Sequence, residues 1–486
     1  MSETEDNEYK VYSRRLLQDA AALQIMEGAS DTEKLDVDLK EDEIKDADSS
    51  LPEPREGTSE FKVYKRRWAI LALYLCYDII SAFQWIQYAI IANVIVHYYN
   101  VPPQAVNWTS VIFMVAFVIT IIPATWFYNK FGLRLALLLA MGGTLLGTWI
   151  KVFSVHPDLF WVTFLGQTIV ALSQTYVLSI PVPLAATWFG PNEVSTACSI
   201  GLLGAQIGGA LGFFIPVALV PDPNNGDTAA IEKGLGYMFY GCAIISTVVF
   251  VLQLIFLQAE PPTPPSLAQA SRGTNNESVL DYVKALWKLL KNVHFVLIFF
   301  AYSINLAVFS AVTTFLNQMI TPIYPDSQND AGNMGVLITI CGIIGSVFVG
   351  FILDRTRLYK EMNILVYALS AVAMLTYTFI LRMGNIYYVY ACAAFLGVTL
   401  VGYLPAAFEF AAELTYPEPE ASSAGLMTFG CQILSAIYTL AYGWVFTPYG
   451  DLASNLFMSG SLIVGTVLTL FVKSDLRRQR AEAHEN

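Results

Sequence analysis

Trp126-Phe-Tyr-Asn129-Lys-Phe-Gly-Leu-Arg134 is a short polar and basic stretch between two long apolar runs. It has a partner 225 residues further on, Phe351-Ile-Leu-Asp354-Arg355-Thr-Arg-Leu-Tyr-Lys360, in which Asp354 takes the place of Asn129. A second pair keeps nearly the same offset. Pro191 to Gln206 and Pro417 to Gln432 have equal length and end in Gly204-Ala-Gln206 and Gly430-Cys-Gln432, 226 residues apart. A membrane chain that repeats itself at half its length is built as two similar halves, with any substrate site at their interface.

What fills the halves is apolar. The 486 residues are 55% hydrophobic and only 14% charged, and mean hydropathy is +0.52. Such values exclude an ordinary soluble domain. Apolar runs cover 67–98, 107–128, 133–153, 158–183, 193–220 and 234–258, then 293–318, 332–353, 362–382, 386–412, 421–446 and 452–472. Each is close to the roughly 20 residues that cross a bilayer. Helices satisfy their own backbone in lipid, so the runs are read as helices. The expected fold is an all-α polytopic membrane protein with about twelve transmembrane helices in two pseudo-symmetric six-helix halves. Pro123, Pro181, Pro183, Pro216 and Pro405 mark expected bends.

The net charge of −12 is concentrated at one end, because residues 1–60 hold 18 Asp and Glu against 7 Lys and Arg. That segment reads as a disordered acidic cytosolic tail, with Tyr12 to Met26 as a candidate amphipathic helix. The expected organisation is this tail, a first half 61–258, a Pro-, Ser- and Asn-rich cytosolic loop 259–291, a second half 292–473 and a cytosolic tail 474–486. Basic residues set the orientation. With a cytosolic N-terminus, inner flanks carry Lys65, Arg66, Arg67, Lys130, Arg134, Lys288, Arg355, Lys360 and Arg477 among others, and outer loops carry Lys151, Lys233 and Arg382. Both termini are thus expected in the cytosol, with the plasma membrane as the default location. Asn107-Trp-Thr109 is an outer sequon, too near a helix for glycosylation to be expected.

The six cysteines lie inside apolar runs and make no disulfide framework or metal spacing. The four histidines are scattered, and no nucleophile–base pair stands out. Neither an enzyme, a cofactor nor a nucleic-acid partner is expected.

Chemistry instead points to Ser81-Ala-Phe-Gln84-Trp85-Ile-Gln87-Tyr-Ala-Ile90 in the first run, with Asp78 before it and Asn93 after it. Polar groups at that depth are expensive and default to function. Trp normally seeks the membrane interface, and an aromatic face attracts a cation. By the repeat, Ser310 is expected opposite Trp85. Gln174, Gln206, Asn305, Asn317, Gln318 and Gln432 complete the polar inventory, and any one is as readily helix–helix glue, worth about 0.6 kcal/mol. Glu409 and Glu413, one turn apart near the cytosolic end of the tenth run, are expected to gate or to anchor a loop. No Lys or Arg lies in the middle of a run, which disfavours an anionic substrate.

The two basic loops resemble those of the major facilitator superfamily. Asn129 stands where Asp is usual, and no Gly follows Asp354-Arg355. The resemblance implies that Asn129, Arg134, Asp354 and Arg355 tie helix ends together and gate the cytosolic side. Phe83-Gln-Trp-Ile-Gln-Tyr88, Phe160-Trp-Val-Thr-Phe-Leu-Gly-Gln167, Trp188-Phe-Gly-Pro-Asn-Glu-Val-Ser-Thr-Ala-Cys198, Gly402-Tyr-Leu-Pro405 and Phe408-Glu-Phe-Ala-Ala-Glu-Leu-Thr-Tyr-Pro417 resemble the feline leukaemia virus subgroup C receptor family, from about Arg66 to Arg478. That resemblance implies transport of choline and ethanolamine by facilitated diffusion, and haem export has also been assigned to family members. It implies an ammonium against Trp85, with Gln174 and Gln432 alongside. The family's Tyr on the seventh helix falls at Ser310, with Phe309 and Tyr302 as the nearby aromatics, and Asp78 replaces a small hydroxyl residue. The first expectation is a facilitative uniporter for choline-like small organic cations. The second is a haem exporter, against which the absence of Lys, Arg and His in the pocket argues. The third is a non-transporting receptor or scaffold.

Overall fold

The computed structural model describes residues 64–190, 193–224, 227–263, 286–416, 418, 420–473 and 477. The acidic tail with its candidate helix, most of the middle loop and most of the C-terminal tail lie outside the described residues.

The described residues form twelve long helices. In the first half, α1 comprises Arg66–Ile86 and Ala92–Tyr99, joined by a 3-10 turn at Ala89–Ile91. α2 (103–131) and α3 (133–152) run almost continuously across Gly132. α4 comprises Phe160–Ser179 and Pro181–Trp188. α5 is Val194–Leu219 and α6 is Thr228–Phe256. In the second half, α7 is Val293–Ile320, α8 Gln328–Thr356, α9 Tyr359–Ile380 and α10 Ile386–Thr415. α11 (420–449) and α12 (451–471) meet at Gly450.

The repeat survives in the backbone corners. Gly132 turns α2 into α3 with φ 79°, and Arg357, 225 residues later, turns α8 into α9 with φ 53°. Asn100 ends α1 with φ 51°, and Asp326 precedes α8 with φ 60°. Left-handed backbone is costly for residues with a Cβ, and Gly, Asn and Asp bear it best. Arg357 holds the same corner without that help, which explains how the second loop dispenses with a glycine.

Two helices are interrupted, one at an expected proline bend and one without a proline. α4 breaks at Ile180 because Pro181 starts the second segment, as its fixed φ allows. α1 breaks after Ile86 with neither Pro nor Gly at the break.

Arg66 donates to the Phe256 carbonyl at 2.8 Å, and the Lys473 amide donates to His294 Nδ1 at 3.3 Å. Hence the starts of α1 and α7 lie beside the ends of α6 and α12, at what is called here the terminal end. The halves meet chiefly along α5 with α8 and α2 with α11.

Candidate functional site

Trp85 sits near the end of the first segment of α1, and its ring is half-buried. On its own side it packs against Phe113 and Ala116 of α2 and Val170 and Ala171 of α4. It also packs against a cluster in which Val111 and Met114 of α2 meet Ala436 of α11, in the opposite half. The ring therefore stands at the divide between the halves. Ser110 of α2 donates to its carbonyl at 3.1 Å.

Gln174 follows Val170 by one helical turn on α4, and Gln432 precedes Ala436 by one turn on α11. One turn advances about 5.4 Å and returns to the same face. Both amides are half-buried, and neither hydrogen-bonds to another described residue. Two uncommitted amides from opposite halves thus flank the contacts of one indole. Ser310 is 8% exposed, and its hydroxyl points to Ser435 Oγ at 3.4 Å, next to Ala436. Phe309 is half-buried on the same helix.

Three residues expected to line the site are turned elsewhere. Gln84 is fully buried, and its Oε1 accepts from Lys151 Nζ at 2.7 Å. One residue of helix is about 100° of rotation, enough to separate Gln84 from Trp85. Asp78 is 3% exposed and is turned towards α5. It fills the space left by Gly204, where a Cβ would lie 2.6 Å from its carboxylate oxygen. Tyr302 is buried between α7 and α10, its ring 5.0 Å from that of Phe408.

Away from the terminal end, polar side chains close the divide in a pseudo-symmetric manner. Asn93 at the start of the second segment of α1 donates to Gln328 Oε1 at the start of α8 at 3.0 Å. Gln318 at the end of α7 donates to Asn107 Oδ1 near the start of α2 at 2.6 Å. Asn93 and Gln318 are 225 residues apart, while their acceptors Gln328 and Asn107 are 221 apart, so the two bonds correspond across the repeat to within one helical turn. Asn317 accepts from the Asn93 amide at 3.2 Å, and Gln104 of α2 donates to Thr447 of α11 at 3.0 Å. Each neutral bond is worth about 1 kcal/mol net, so the closure holds yet can open. Asn107, the sequon residue, lies inside this closure and is 6% exposed.

At the terminal end Asn129, Arg134, Asp354 and Arg355 are exposed and form no ion pair among the described residues. Arg355 rests on the ring of Phe351 at 4.4 Å. Ties there run within a half: Arg67 pairs with Glu193 at 2.7 Å, and Lys288 with Glu418 at 3.2 Å. Glu409 is exposed and Glu413 buried on α10.

Lys151 corrects the sequence reading. Counted as an outer-loop charge, it lies in the last turn of α3 and is 2% exposed. The apolar run 133–153 contains it, and its charge alone suggests a loop. Gln167, its second partner, closes the stretch Phe160–Gln167 and carries no other sequence signal.

The Major Facilitator Superfamily profile matches residues 73–439. The chain is 42% identical over 425 residues to the choline/ethanolamine transporter flvcr2a of Danio rerio, covering 87% of this chain and 90% of that protein. It is 39% identical over 426 residues to the choline/ethanolamine transporter FLVCR2 of Homo sapiens, covering 88% and 81%. Among solved structures, a bacterial homologue of the human lysosomal transporter Spinster, in an inward-facing and unoccupied conformation, aligns with a TM-score of 0.64 at 11% identity, over 86% of this chain and 97% of that one. The repeat, the twelve helices and these similarities together place the chain in the feline leukaemia virus subgroup C receptor (FLVCR) family of the major facilitator superfamily.

Proposed function

We propose that this chain is a facilitative uniporter for choline and ethanolamine that works by alternating access. The observation that carries the reading is the Trp85 ring, half-buried and packed against one cluster of α2 and α4 residues and a second that joins α2 to Ala436 of α11. A quaternary ammonium cannot donate hydrogen bonds, so it gains most from an aromatic face in a desolvated site. Gln174 and Gln432, one from each half, supply acceptors for the hydroxyl of choline or the ammonium protons of ethanolamine. The names of the relatives support this substrate class.

Uniport fits the placement of Asp78. A carboxylate that carried a coupling proton with each substrate would need access from the divide, and this one is sealed against α5. The protein lies in the plasma membrane with both termini cytosolic. The closed end is then outer, and the structure is an inward-facing state. Rocking the halves about Trp85 would break the Asn93–Gln328 and Gln318–Asn107 bonds as cytosolic contacts form.

Uptake of labelled choline and ethanolamine into transporter-depleted cells tests the reading. Saturable uptake of both, several-fold above control cells, is the expected outcome. Background uptake with the protein present at the surface contradicts it, and haem export is then measured in the same cells.

A further inference from the structure

Lys151 is a buried cation that the site as described leaves unused. Its Nζ donates to Gln84 Oε1 on α1 at 2.7 Å and to Gln167 Oε1 on α4 at 2.5 Å. It also lies 5.6 Å from the ring centre of Tyr88. Its stem crosses Gly166, where a Cβ would come within 2.7 Å of the lysine Cγ. Gln167 extends the set of bonds, donating to the Gln84 carbonyl at 2.7 Å and to the Thr109 carbonyl at 3.3 Å. Together with Ser110 on the Trp85 carbonyl, two consecutive carbonyls of α1 receive side-chain donors from α4 and α2. They do so where the α-helix stops at Ile86, and Ile91 then leaves helical geometry at φ −115°, ψ 33°.

A helix that ends inside a membrane leaves carbonyls that lipid cannot satisfy. Its C-terminal end also carries partial negative charge, which a cation offsets. Lys151 brings the cation and Gln167 the donor. Loss of water disfavours a buried ammonium, so it persists only with well-formed partners. Here those partners fasten three other helices to one point on α1, a residue away from Trp85.

We propose that Lys151 is a positioning residue for Trp85: with Gln84 and Gln167 it pins the break in α1 to α3 and α4 and so fixes the indole at the divide. This rests on the reading of Trp85 as the partner of the substrate cation. The ammonium itself meets no substrate, because it is enclosed behind α1 with its protons directed at amide oxygens.

Two variants of the full-length protein test this. Lys151→Met keeps the stem and removes the charge, and Gln167→Met removes the bridge and keeps the lysine. By hydrogen exchange, amides in 84–92 are expected to exchange about tenfold faster in both, as the loss of one or two buried bonds implies, with α8 and α12 unchanged. The choline KM is expected to rise about tenfold, with maximal rate and surface amount within about twofold of wild type. In a Trp85→Phe background, Lys151→Met is expected to add less than about twofold, because the two residues act as a unit. Unchanged exchange at 84–92, exchange loosened equally through both halves, or KM effects that multiply in full would each overturn the proposal. The exchange measurement needs no substrate, so it stands even if wild type carries no choline.

Discussion

Trp85→Ala abolishes saturable choline uptake, or raises its KM by about 30-fold, while the protein still reaches the membrane. The size follows from the cation–π interaction, about 2 kcal/mol or more in a desolvated site, at roughly 1.4 kcal/mol per tenfold. Truncation also empties space among α2, α4 and α11, so abundance and thermal midpoint are measured alongside. Trp85→Phe separates the effects. It keeps a weaker aromatic face and is expected to retain saturable uptake with a KM raised by only several-fold. Equal uptake by Trp85→Ala and wild type would remove the indole from the site.

The second large effect concerns folding. At Gly147 of α3 a Cβ would lie 2.6 Å from the Gly166 carbonyl and 2.7 Å from Val170 Cγ2, both on α4. Small residues let membrane helices approach this closely, and a larger one drives them apart. Gly147→Leu is expected to cost about 1–3 kcal/mol or more. It should lower the thermal midpoint of the purified protein by roughly 5–10 °C. The same change at Gly241 of α6, where a Cβ meets nothing within 4 Å, is the control and should leave the midpoint nearly unchanged. Equal midpoints for the two variants would contradict the account of the α3–α4 contact. Val170 belongs to the cluster against which Trp85 packs, and Lys151 lies one turn beyond Gly147, so this packing also supports the site.

Much of the architecture was legible because it rests on signals that one dimension preserves. Run length gave the helices and the 225-residue offset gave the halves, and the left-handed corners at Gly132 and Arg357, which the sequence does not announce, keep that offset. Trp85 stands out as a candidate because a Trp beside amides in mid-run contradicts the usual preference of its side chain. Gln174 and Gln432 came from the family resemblance. The break in α1 left no mark, since its cause is tertiary: donors from α2, α3 and α4 that are distant in the chain. Lys151 was misplaced because charge counting assigns a residue to a side of the membrane and is blind to a buried partner. Gln84 and Asp78 face neighbouring helices for a third reason. The sequence gives their depth but not their rotation about the helix axis, and rotation decides whether a side chain meets the divide or a neighbouring helix.

The most direct test of the uniporter reading is counterflow in proteoliposomes that hold the purified chain and unlabelled choline, with no sodium, proton or voltage gradient. Labelled choline added outside should enter transiently above its equilibrium level, and imposing an ion gradient at zero voltage should not change the steady state. No counterflow by a folded, inserted protein would contradict choline transport. Accumulation that appears only when an ion gradient is imposed would contradict uniport.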